Sequence, residues 1–206
     1  MVDSAFELLN LHINVSYETF DKLCLYYDLL IKWQNKINLI SSDTIDHIWE
    51  RHFLDSAQLI NYLPEPNGNI IDIGSGAGFP GMILAVMGIP NIHLIESDGK
   101  KISFLREVAR ITNSNVTIHH DRVEDINIEN CKIILSRAVT DLTQLLNLIE
   151  KNVSHETISL FHKGKNYSNE LEEAKNNWSF EHQIFPSITG HNGVIIKLSH
   201  IKRRPR

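Results

Sequence analysis

Ten consecutive residues, Asp72-Ile73-Gly74-Ser75-Gly76-Ala77-Gly78-Phe79-Pro80-Gly81, carry the strongest chemical signal in the 206-residue chain. An apolar strand that enters a glycine-rich turn and leaves it as a helix lets backbone N–H groups approach a ligand closely. Four glycines within eight residues exceed what a bare strand–helix turn needs. Their spacing is G-x-G-x-G, with Phe79 where a dinucleotide fingerprint requires its third glycine. No Gly-Lys-Ser/Thr follows, so neither a pyrophosphate cradle nor a nucleoside triphosphate loop fits. Glu96, twenty residues past Gly76, ends the next apolar run. A carboxylate there can accept both hydroxyls of an adenosine ribose. An adenosine without a diphosphate points to S-adenosylmethionine, and methyl transfer becomes the candidate reaction. Asp72, at the strand end, is set to orient the turn or to meet the cofactor's ammonium group. The candidate cofactor contacts from this stretch are Asp72, Gly74, Ser75, Gly76, Gly78, Phe79 and Glu96.

The flanking sequence supplies the elements to hold these groups. Apolar residues Phe20, Leu23, Cys24, Tyr27, Leu30 and Ile31 recur at helical spacing, and Ser16 can cap the start. Ile45, Ile48, Trp49, Phe53, Ala57 and Ile60 predict a second helix that ends before Pro64. Turn residues at 64–68 mark a border, which divides the chain into an N-terminal helical extension (1–66), a core (67–200) and a basic tail (201–206). Beyond the border, strands are expected at Asn69–Ile73, Ile92–Ile95, Asn115–His119, Lys132–Leu135 and Thr157–Phe161. Helices are expected at Phe79–Met87, Lys100–Thr112, Leu142–Ile149 and Ser168–Asn177. This alternation predicts an α/β, Rossmann-like fold: a mostly parallel sheet covered on both faces. Phe180–Phe185 and Val194–Leu198, joined through Gly190-His191-Asn192-Gly193, predict an antiparallel hairpin at one edge.

Composition bounds the rest. With 42% hydrophobic and 22% charged residues, the chain is expected to be globular, soluble and cytoplasmic. Its longest apolar runs fall far short of the roughly 18–20 residues that cross a membrane. Met1–Leu9 carries Asp3 and Glu7 and no cationic flank, unlike a signal peptide. Cys24 and Cys131 are expected to be unpaired, and the eleven histidines show no zinc-ligand spacing, so no metal site is expected. Net charge is −5, unevenly spread. Residues 1–150 hold 11 Lys/Arg against 20 Asp/Glu, whereas residues 151–206 hold 9 against 5. The end, Lys202-Arg203-Arg204-Pro205-Arg206, is either a solvated tail or an arm for phosphates.

From about Leu29 to Ile196 the chain resembles the bacterial small-subunit rRNA methyltransferases that modify N7 of a guanine, the glucose-inhibited division protein B family. The likeness rests on Lys32-Trp33-Gln34-Asn35-Lys36-Ile37-Asn38-Leu39, Arg51-His52-Phe53-Leu54-Asp55-Ser56, the glycine loop, Arg122-Val123-Glu124, Ser136-Arg137-Ala138 and Lys163-Gly164, in that order. The resemblance implies that Gly74 and Phe79 contact the cofactor, that Val123 and Glu124 flank its adenine, and that Arg137 closes the pocket. It also implies ribosomal RNA as partner, within the small subunit or an assembly intermediate, and a monomer. His119-His120-Asp121 stands where the family usually has a small residue, and the basic end is longer than the family needs.

The acceptor side agrees with that resemblance. Amino-group methyltransferases usually carry an Asn/Asp-Pro-Pro-aromatic turn after the fourth strand, where this chain has Ser136-Arg137-Ala138-Val139. Carbon-5 pyrimidine enzymes need a nucleophilic cysteine, and neither Cys24 nor Cys131 is placed for it. Guanine N7 has a free lone pair and no proton to remove. It needs in-line approach and charge stabilisation rather than a general base. Arg137 is the candidate catalytic residue, orienting substrate or cofactor through hydrogen bonds. The alternative is a buried arginine paired with Asp55 or Asp141. Arg51, His52, Arg122, Lys163, Lys165, Arg203 and Arg204 are candidate RNA contacts, forming an electrostatic rim if they surround the site. Two other readings use the same residues: a methyltransferase for a small molecule or protein, and a non-catalytic RNA-binding protein that senses the cofactor.

Overall fold

The short isoleucine- and leucine-rich runs become the middle of a seven-stranded sheet. The computed structural model describes residues 2–65, 67–137, 139–190 and 192–205. The strands are β1 (Asn69–Ile73), β2 (Ile92–Glu96), β3 (Val116–His120), β4 (Cys131–Arg137), β5 (Ile158–Lys163), β6 (Trp178–Pro186) and β7 (Val194–Arg203). The helices are α1 (Val2–Asn10), α2 (Tyr17–Gln34), the single turn α3 (Asp55–Ala57), α4 (Gly81–Val86), α5 (Gly99–Thr112), α6 (Leu142–Ile149) and α7 (Tyr167–Lys175). Strand order is β3-β2-β1-β4-β5-β7-β6. The first five strands run parallel, β1 pairing Ile73 with Ile95 of β2 and with Ser136 of β4. β7 is antiparallel to both β5 and β6. The order reverses between β1 and β4, and the crevice beyond the carboxyl ends of those strands is where open α/β sheets bind ligands.

Alternate residues of each strand feed two cores. One joins Ile70, Leu94 and Ile133 to α2 (Leu23, Tyr26, Leu30), α4 and α5. The other joins Ile71, Ile73 and Phe161 to α6, α7 and Trp178. Polar caps define the helix ends. Ser16 Oγ accepts the Thr19 N–H at 3.1 Å to start α2, and Asp98 Oδ1 accepts the Lys100 N–H at 2.7 Å to start α5. Asn113, left-handed at φ 51°, ends α5.

Three sequence expectations need correction. The helix expected across Ile45–Ile60 is broken into a 3₁₀ stretch (Ser42–His47), a π turn (Trp49–Leu54), α3 and a second 3₁₀ stretch (Gln58–Tyr62). Its apolar spacing is helical, but distant side chains bind its carbonyls. Arg137 donates to the Arg51 carbonyl at 2.9 Å and His162 to that of Asp55 at 2.7 Å. The sheet is not covered on both faces throughout. Only a 3₁₀ turn, Val123–Asp125, follows β3, and His93 and His119 stand half-buried on that side, 3.0 Å apart. Finally, residues 201–203 belong to β7 rather than to a separate tail, paired through Trp178↔Arg203. Among the described residues no helix is long and apolar enough to cross a membrane.

Candidate active site

The glycine loop is held from beneath and open above. The buried Tyr26 hydroxyl, from α2, donates to the Ala77 carbonyl. Gly78 sits at φ +94°, and a Cβ there would lie 2.5 Å from that hydroxyl and 2.7 Å from Met82 Cβ. At Gly76, φ +56°, the nearest atom to an added Cβ is the Gly74 carbonyl oxygen at 3.7 Å. That face of the backbone is free for a ligand. The Ser75 N–H donates to the Ile95 carbonyl at 3.0 Å, tying the loop to the end of β2.

Two carboxylates shape the turn. Asp72 is fully buried, and its Oδ2 accepts the Gly81 N–H at 3.0 Å. Its Oδ1 has no partner among the described residues, and burial pushes the carboxyl up to about 7. Of the two roles expected for it, orienting the turn fits this burial. Glu96 accepts from three backbone N–H groups: Ser97 and Asp98 at Oε1, both 2.8 Å, and Gly76 at Oε2, 2.9 Å. These bonds aim its remaining lone pairs. Val123 is buried in the turn after β3, in the cluster that holds Ile73 and Ile95, whereas Arg122 and Glu124 are exposed.

Arg137, at the end of β4, reaches across to the N-terminal segment. Its Nη1 donates to the Arg51 carbonyl and its Nη2 to His52 Nδ1 at 2.6 Å. Its guanidinium lies 4.9 Å over the Phe79 ring and 3.5 Å from Asp55 Oδ2. Because His52 Nδ1 accepts, its Nε2 carries the proton and donates to Thr44 Oγ1 at 2.7 Å. Burial, followed by the nearby Arg137 cation, lowers the His52 pKa to about 3. Asp55 Oδ1 accepts from Gln58 at 2.8 Å, Ser187 at 2.9 Å and Thr189 at 3.3 Å. Beside these groups opens a cavity of about 430 Å³, walled by Arg51, His52, Asp55, Arg137, His162 and Lys163 among others. Thus Arg137 both lines a cavity of small-ligand size and covers Phe79 of the glycine loop.

Residues 19–196 match the family described as rRNA small subunit methyltransferase G. The chain belongs to this family. It is 46% identical over 190 residues to the ribosomal RNA small subunit methyltransferase G of Rhodospirillum centenum, across 92% of this chain and 88% of that one. It is 41% identical to the Paramagnetospirillum magneticum protein of the same name, across 92% of each. Among solved structures, a ribosomal protein L11 methylase from Lactobacillus delbrueckii subsp. bulgaricus shares the fold. The TM-score is 0.58 at 12% identity, over 75% of this chain and 79% of that one. Membership of the methyltransferase G family bears out the expectation of an S-adenosylmethionine-dependent rRNA methyltransferase, and the sheet bears out the Rossmann-like class.

Within this family frame, the structure brings together the glycine loop, Glu96 and Val123 on one side and Arg51, His52, Arg137 and Lys163 on the other. His52 is 8% exposed with both ring nitrogens engaged, a satisfied buried histidine at the cavity wall. The Lys163 ammonium donates to the Thr140 carbonyl at 2.5 Å and pairs with Glu170 at 2.8 Å, while Lys165 is exposed. The rim expected from the basic residues is not completed by the tail. Arg203 pairs with Glu150 at 2.6 Å, and Arg204 donates to the Trp178 carbonyl at 3.2 Å. Both lie at the far end of β7, roughly 30 Å from its start beside the cavity at about 3.3 Å per residue. Sequence reasoning missed three groups. Tyr26 stands beside Tyr27 of the helical stripe with nothing in its spacing to mark it, although its hydroxyl pins the loop. Asp55 entered only as a partner for Arg137, and the other partner considered, Asp141, caps α6 instead, accepting the Gln144 N–H at 2.9 Å. His162 had no signal beyond adjoining Lys163.

Proposed function

We propose that this chain methylates N7 of a guanine in small-subunit ribosomal RNA. The observation that carries this reading is Arg137, which covers Phe79 of the cofactor loop and lines the cavity next to it. In this proposal Gly74, Ser75, Gly76 and Gly78 offer backbone to the methionine half of S-adenosylmethionine, and Glu96 accepts from its ribose. Val123 and Glu124 flank its adenine, and Phe79 and Arg137 bound the transfer point. Asp72 acts through the turn it orients. The bare Gly76 backbone and the N–H-anchored Glu96 carboxylate suit such a ligand. When bound, S-adenosylmethionine supplies an electrophilic sulfonium methyl. The chemistry it would supply is transfer of that methyl to the lone pair of guanine N7, an atom that carries no proton. No proton moves, so the site needs an aligned base rather than a general base. Arg137 serves as the aligning residue.

The extension (1–66) forms one wall of the acceptor cavity in this reading, and the core (67–200) supplies the cofactor cleft. Arg51, Arg122 and Lys165 contact RNA phosphates near the site, with His52 and Lys163 supporting them from within the wall. Arg203 and Arg204 form a second, distal contact. The protein acts as a cytoplasmic monomer on a small subunit or an assembly intermediate that presents the base. The test is transfer of radiolabel from S-adenosylmethionine to small subunits from a strain lacking the gene, followed by nucleoside analysis. Label in 7-methylguanosine is the expected result. Label in another nucleoside would overturn the N7 assignment, and none in RNA would overturn the acceptor.

A further inference from the structure

We propose that Asp55 reads the acceptor base, its Oδ2 taking the N1–H and N2–H donors of a guanine seated in the cavity beside Arg137. This rests on the guanine N7 reading above and adds the group that selects the base. Asp55 is the only carboxylate among the described residues lining that cavity. Its two oxygens are unequally engaged. Oδ1 accepts from Gln58, Ser187 and Thr189, which lock the carboxylate in place. Oδ2 accepts no hydrogen bond of good length among the described residues. Its nearest polar neighbours are the Arg137 cation, with Nη1 at 3.5 Å, and His162 Nε2 at 3.8 Å, on a ring whose pKa burial lowers and whose Nε2–H already serves the Asp55 carbonyl at 2.7 Å. The side chain is 16% exposed, neither sealed off nor freely hydrated. An ionised, oriented acceptor thus faces a cavity whose other walls carry the cations Arg51, Arg137 and Lys163, several hydroxyls and apolar side chains.

Guanine is the RNA base that presents two adjacent donors on its Watson–Crick edge. Adenine sets one donor beside an acceptor there, cytosine one donor beside two acceptors, and uracil flanks its single donor with acceptors. One carboxylate therefore prefers guanine by hydrogen-bond count, and strongly when desolvated. The edge it holds lies opposite N7, which is left free for the methyl group. The Watson–Crick edge must be unpaired to be read, so the base enters splayed out of its helix. Methylation at N7 spreads positive charge over the purine and makes N1–H a stronger donor. The bond to Asp55 therefore tightens on the way to product, which is the condition for it to raise the rate.

The experiment compares small subunits reconstituted with guanine or with inosine at the methylated position, because inosine lacks only the 2-amino group. Wild type is expected to favour guanine in kcat/KM by about tenfold to a hundredfold. Asp55→Asn keeps the shape and one acceptor but turns an N–H₂ towards the second donor, so it should treat inosine as well as guanine or better. Ser187→Ala, which loosens the carboxylate without changing its chemistry, should slow both substrates and keep the ratio. A wild-type enzyme indifferent to inosine overturns the assignment without recourse to any variant. So does an Asp55→Asn protein that slows both substrates equally. Formation of 7-methylguanosine by wild type is scored in the same reactions. Its absence would mark failure of the N7 reading, and its presence with an unmoved ratio would mark failure of the Asp55 assignment alone.

Discussion

Arg137 gives two of its guanidinium donors to the N-terminal segment, and that determines how its loss will look. Arg137→Ala strands the Asp55 charge in the wall and should cost about 2 kcal/mol of stability, since the site is partly open to water. Methylation should fall at least ~100-fold, as the acceptor wall and Phe79 lose alignment, while affinity for S-adenosylmethionine changes little. Isothermal titration beside a methylation assay separates the two, and an unchanged rate would reduce Arg137 to a structural group. Two other buried residues make opposing contributions to pH stability. His52 titrates near 3 when folded against its usual 6.5, so the unfolded chain takes that proton first. Its contribution is full above the upper value and is lost as pH falls toward the lower one. Asp72 titrates near 7 against its usual 3.8, so the folded chain takes the proton first. Its contribution is full below the lower value and is lost as pH rises through the upper one. Between about pH 4 and 6.5 the two slopes, each about 1.4 kcal/mol per pH unit, oppose each other. Asp72→Asn should therefore lose stability on acidification more steeply than wild type, and His52→Gln less steeply. Urea midpoints measured across that window decide it, and parallel curves for all three proteins would refute it.

At the scale of elements, the sequence was most legible where local pattern and tertiary role coincide. β1 and α6 fall at their expected bounds, and α2 begins at its expected Ser16 cap. The stretch 42–62 was illegible because side chains more than eighty residues away bind its carbonyls. The cavity beside Arg137 was hidden for the same reason: Asp55 meets Ser187 across 132 positions, a proximity no spacing encodes. The glycine turn could be read because strand, turn and helix are contiguous. The extended β7 carries its own prediction, since it separates Arg203 and Arg204 from the reacting atoms. Arg203→Ala/Arg204→Ala should raise KM for small subunits several-fold and flatten the salt dependence by about one unit of slope per lost phosphate contact. A fall in kcat instead would mean that the far end of the sheet acts on the chemistry.

For the whole molecule, the extension is continuous with the sheet's core rather than an attachment to it. Leu9, Leu23, Tyr26, Leu30, Phe53 and Leu59 have no exposed surface and pack in the cluster that contains Ile70 and Leu94. At about 1.5–3 kcal/mol for each such side chain, exposing all six would cost as much as the whole of a typical stability of about 5–15 kcal/mol. The chain should therefore melt in one calorimetric transition, with calorimetric and van't Hoff enthalpies in agreement. Two resolved transitions, or a folded fragment beginning at Gly68, would contradict this. Tyr26 gives that continuity a further meaning. One phenol belongs at once to the longest N-terminal helix and to the backbone of the cofactor turn. Whatever steadies the turn must steady the helix by the same free energy, and fraying of the helix must be felt at the turn. A ligand that steadied the turn would therefore be registered in the helix, and the stability of that helix would serve as a gauge of occupancy.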